Sequence, residues 1–194
     1  AHQLEVLMQK IQPLQVIEFK KRERLQDIVS DRMTRLTAYQ NPAYAELYQS
    51  RVQRVQAIEA PLGKTLLSES VARHLYKLMA YKDEYEVARL HTQSGFLARI
   101  QDSFEGDFKV HYHLAPPLLA KRNNKGELMK QKFGPLMQTG FKLLAQLKGL
   151  RGTKLDVFGY TEERKTERAL IGDYLEELEH VLTDLTEKTH AKAV

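Results

Sequence analysis

The chain has 194 residues, a formal net charge of +5, 42% hydrophobic and 28% charged residues, and no cysteine. That suffices for one domain with a real core, or at most two small ones, and it excludes disulfides and thiolate-held iron–sulfur clusters within the chain. No apolar run approaches the roughly 18 residues of a membrane span and no signal-peptide pattern opens the chain, so the expected location is the cytoplasm.

Near the start, Leu4, Leu7, Met8, Ile11 and Leu14 recur at helical spacing, and Pro13 should kink or end that helix. The run Lys20-Lys21-Arg22-Glu23-Arg24 follows and reads as a solvated face. Residues 1–24 are expected to form a helical extension ahead of a single domain over 25–194. Leu25, Ile28, Val29, Met33 and Leu36 mark the next amphipathic stretch. Asn41 is a good N-cap and Pro42 fits a first helical position, so a helix should run from there to about Glu59. Tyr44, Tyr48, Val52, Val55 and Ile58 form its inner side, Arg51 and Arg54 its wet one.

Pro61 and Gly63 end that element, and Ser68 is the expected cap of a long helix reaching Thr92, where Ser94-Gly95 breaks it. Val71, Leu75, Leu78 and Met79 give it an apolar face. Lys82, Glu86 and Arg89 fall on that same face, at spacings of four and three that let oppositely charged side chains meet. A lone buried charge is costly, so the pattern implies a half-buried cluster reached by another element, or a face turned to a ligand.

From Phe108 the pattern alternates and suggests a strand or hairpin up to Leu114. His111 and His113 would share one side of it, with Asp107 and Asp102 as the nearby acids. That set is thin for a metal, and none is assigned; His113 reads as a structural, hydrogen-bonded residue. Pro116 and Pro117 end regular pairing. Lys121, Arg122 and Lys125 make the most basic loop, either solvated or a docking patch for an acidic partner. The charges are too interspersed with acids to favour nucleic acid.

A helix over 136–148 should bury Phe141, Leu144, Ala145 and Leu147 and stop at Gly149. Thr161, followed by Glu162 and Glu163, caps the last helix. Its inner stripe of Ile171, Leu175, Leu178, Leu182 and Leu185 continues backward to Arg168 and Arg164. Two arginines four apart need anions between them, and Asp83, Glu86 and Asp156 are the candidates; a phosphate is the alternative. Residues 186–192 read as a frayed tail. The expected fold is mostly helical α+β, with long amphipathic helices packed on a small antiparallel sheet or hairpin.

Five stretches also carry a resemblance. They are residues 77–90, the Tyr39-Gln40-x-x-x-Tyr44-Ala45 pattern, Phe104-Glu105-Gly106-Asp107, His113-Leu114-Ala115-Pro116-Pro117, and residues 150–168, which include Arg151. Taken in chain order they resemble the cofactor-free C-terminal region of the indolepyruvate ferredoxin oxidoreductase family of 2-oxoacid:ferredoxin oxidoreductases. The resemblance implies a larger protein that converts an arylpyruvate and coenzyme A to an acyl-CoA, carbon dioxide and reduced ferredoxin. Thiamine diphosphate and iron–sulfur clusters would lie in regions absent from this chain, which itself would hold no cofactor and no catalytic residue. Implied partners are the enzyme's other domains, a second copy of the full-length protein, and ferredoxin, whose acidity suits Lys121, Arg122 and Lys125. The other reading is a non-catalytic interaction module for an acidic protein or nucleic acid.

Overall fold

Asn41 sets the first corner of the chain. Its side chain accepts from the Tyr44 amide at 2.9 Å, and Pro42 takes the first helical position, so α1 (Leu25–Tyr39) ends and α2 (Pro42–Glu59) begins within a few residues. This computed structural model describes residues 23–106, 108–114, 123, 126 and 129–194. The helical extension up to residue 22, Asp107, Pro116, Pro117, Lys121, Arg122 and Lys125 lie outside the described residues.

After α2 a tight turn over Ala60–Leu62 closes on Gly63, whose φ of 65° is left-handed. Then come α3 (Leu66–Met79), α4 (Glu84–Gln93) and α5 (Phe96–Ser103). Strands β1 (Tyr112–Leu114) and β2 (Gln131–Phe133) form an antiparallel pair, Tyr112 opposite Phe133 and His113 opposite Lys132. Helix α6 (Met137–Gln146) continues as a 3-10 turn over Leu147–Leu150. The long α7 (Glu162–Thr183) and the short α8 (His190–Ala193) complete the chain. The architecture is mostly helical α+β.

Two apolar clusters organise these elements. The larger joins α1, α2, α3 and α7 around residues such as Ile28, Leu36, Tyr48, Val52, Leu75 and Leu182. The smaller joins α4, the strands and α6 through Ala88, Tyr112, Phe141 and Ala145. His91 belongs to this second cluster: its ring stacks on Phe141 and meets Tyr112 edge-on.

Several expectations need correction. The continuous helix over 71–92 is two helices, because Asp83 caps a new one: its side chain accepts from the Glu86 amide at 2.8 Å. Lys82 therefore leaves the apolar face; it is exposed and does not join Glu86. Ser68 is not the cap of α3 but sits buried in its first turn. Leu147 is 41% exposed, since the 3-10 turn rotates it off the inner face of α6, and the turn carries past Gly149. Residues 186–192 are not a frayed tail: His190 is buried against Glu59.

Candidate functional site

Of the residues singled out by sequence, Asp83, Arg151, Asp156 and Arg168 converge at the joint between the two clusters. Arg151, at the end of the 3-10 turn, is the centre. Its Nε and Nη2 donate to the two oxygens of Asp83 at 2.5 and 2.8 Å, a two-pronged pair with both side chains 3% exposed. Its Nη1 donates to the Tyr39 carbonyl at 2.7 Å. The guanidinium also lies over the Tyr39 ring, 3.7 Å from its centroid. Helix α1 has no basic residue in its last turn. Arg151 on Tyr39 and Lys148, which donates to the Ala38 carbonyl at 2.6 Å, supply the cations its C-terminal end favours.

Asp156 forms a second node. It accepts from the Gly152 amide at 2.8 Å, the Gly159 amide at 3.0 Å, the Tyr85 hydroxyl at 3.3 Å and Arg168 at 3.2 Å. Gly152 holds a left-handed φ of 76° to present its amide. A Cβ on Gly159 would intrude on both the Asp156 carboxylate and the Arg168 guanidinium. Burial, with Asp156 alongside, pushes the Tyr85 phenol up to about 12. Arg168 also donates to the Gly159 carbonyl, which seats the first turns of α7 on this loop.

The pairing differs in detail from expectation. Arg168 does meet Asp156, but Asp83 belongs to Arg151 and Glu86 to Arg89, at 2.7 and 2.8 Å within α4. Arg164 pairs with Glu167, and its Nε lies 3.5 Å from Glu84. Burial raises the Glu84 carboxyl, opposed in part by Arg164. His113 is on the exposed face of β1 opposite Lys132, away from the joint. Among the described residues no group of three or more His, Asp or Glu side chains gathers to hold a metal, and no helix is long and apolar enough to cross a membrane.

The sequence reading missed a third node. Glu59, fully buried at the end of α2, accepts from the Leu67 and Ser68 amides at 2.8 Å each, the Ser68 hydroxyl at 2.5 Å and His190 at 2.6 Å. It thus caps α3 from outside that helix and fastens α8. Burial alone would raise its carboxyl, but the hydrogen bonds from His190, Ser68 and Leu67 together hold it below the usual carboxylate range. Local spacing gave no sign of this, because the partners are up to 131 positions apart. Every acceptor of the Asp83, Asp156 and Glu59 nodes is engaged by donors, an arrangement suited to holding elements in register rather than to proton transfer.

The sequence model of a family described as "Family of unknown function (DUF6537)" matches residues 25–194. No curated protein matches the chain significantly, and no solved structure does.

Proposed function

The chain belongs to the family of unknown function DUF6537 over residues 25–194, and on that premise we propose that it is the C-terminal accessory domain of a 2-oxoacid:ferredoxin oxidoreductase of the indolepyruvate type, acting in the cytoplasm. In this reading the full-length enzyme decarboxylates an arylpyruvate with coenzyme A and passes electrons to ferredoxin. Thiamine diphosphate and iron–sulfur clusters are carried by other regions of that enzyme. This domain contributes structure, packing against those regions and against a second copy of the enzyme.

One observation carries the proposal. Three of the stretches that support the resemblance, around Tyr39 to Tyr44, over 77–90 and over 150–168, are the ones that build the Arg151–Asp83 and Asp156–Arg168 nodes. A motif set that coincides with one buried ionic joint has a physical reason to recur as a set. The absence of cysteine supports the placing of the iron–sulfur chemistry elsewhere. The test is recovery of the natural gene product by pull-down from its host, followed by cofactor analysis and an assay of arylpyruvate-dependent, coenzyme A-dependent ferredoxin reduction. The expected result is a much longer polypeptide carrying thiamine diphosphate and iron–sulfur clusters. A free-standing product of this size with neither cofactor would overturn the proposal.

A further inference from the structure

Arg51 stands apart from the other partly buried arginines. It lines a half-open cavity of about 280 Å³ between α2, α3, α7 and the segment at Arg151 and Gly152. Arg151 and Arg168 also line this cavity, but their charges are taken by Asp83 and Asp156. No carboxylate lies within ion-pair distance of Arg51 among the described residues, and its Nε is buried with no hydrogen-bond partner. Glu179 is close enough to feel Arg51, yet Arg54 holds both its oxygens at 2.6 to 3.1 Å. The cavity therefore keeps one cation without an ion-pair partner and an unused donor at its wall.

Apart from Gln40, the remaining side-chain walls are apolar. Tyr44, Leu47, Met79, Tyr81 and Leu175 supply rings and aliphatic chains, and the Tyr44 hydroxyl is already bound to the Met79 carbonyl at 3.0 Å. A charged donor at one side of a small apolar chamber selects an anion with an apolar body. Ligand pockets commonly measure about 300–1,000 Å³, so this one suits a small ligand better than a nucleotide or a coenzyme body. An inorganic phosphate would leave the apolar walls unused.

We propose that this cavity is a binding site for a small monocarboxylate with an aromatic or branched aliphatic body, the carboxylate held by Arg51 and the body lodged against Tyr44, Met79 and Leu175. The site does not depend on the oxidoreductase reading. Calorimetric titration of the full chain with benzoate, benzamide and inorganic phosphate tests it. Benzoate should bind at least about tenfold more tightly than either of the others, and Arg51→Gln should abolish that preference. Absence of benzoate binding would overturn the proposal. Equal binding of benzamide would remove the role of Arg51, and equal binding of phosphate would remove that of the apolar walls; either also overturns it. The three ligands are compared on the unaltered chain, so the outcome does not depend on whether the variant folds.

Discussion

At Gly159 the chain tolerates no side chain, and the cause is contact rather than backbone angle. Asp156 cannot retreat from an added methyl, because four donors fix its carboxylate. Arg168 can retreat only by giving up Asp156 and the Gly159 carbonyl. Gly159→Ala should therefore destabilise the fold by about 1–3 kcal/mol, measured by urea unfolding. Unchanged stability would mean that the Asp156 node is looser than its hydrogen bonds suggest. Residue-scale chemistry was partly legible in the sequence. Of the charges on otherwise apolar faces, Glu86, Arg89, Arg164 and Arg168 form partly buried ion pairs, whereas Lys82 is exposed. Arg151 stands out only through the resemblance of residues 150–168, because it lies in an irregular Gly-containing segment where no periodicity shows which side is inward.

Among elements, the start of α3 and the C-terminal α8 depend on one carboxylate. Glu59 is held below the ordinary carboxylate range in the folded chain. Its contribution to stability is thus fully present above the unfolded carboxylate pKa and is lost as pH falls through the lower, folded value. Glu59→Gln should cost about 1–3 kcal/mol near neutral pH. The cost should shrink on acidification, as the native carboxyl protonates and loses the same advantage. Thermal unfolding of both proteins from neutral to acid pH checks this, and parallel curves would contradict it. The sequence made the caps at Asn41 and Thr161 plain, since each precedes its helix with a side chain suited to the job. It hid the break at Asp83. The apolar spacing continues across it, and only the distant Arg151 makes that aspartate more useful as a cap than as an ordinary helical residue.

On the scale of the whole molecule, the helical α+β class and the approximate spans of α1, α2, α6 and α7 follow from periodicity and turn residues, whereas the split between α3 and α4 and the short helices α5 and α8 do not. The partition into two apolar clusters does not, because it arises from contacts between α4 and α6 and from the separate packing of α1, α2, α3 and α7. Arg151 and Asp83 bridge that partition. Asp83 opens α4 of the smaller cluster, and Arg151 reaches from the end of the turn after α6 to the end of α1 in the larger one. Tyr39 adds a hydrogen bond from its hydroxyl to the Tyr81 carbonyl at 3.0 Å across the same joint. Breaking one partner of a buried pair leaves the other charge stranded, at a cost of about 3–5 kcal/mol. The most direct measurement is a double-mutant cycle by urea unfolding on Asp83→Asn, Arg151→Met and the two combined. The two single losses should exceed the combined loss by at least about 2 kcal/mol. Losses that add to within about 0.5 kcal/mol would show that the two side chains do not act as one joint.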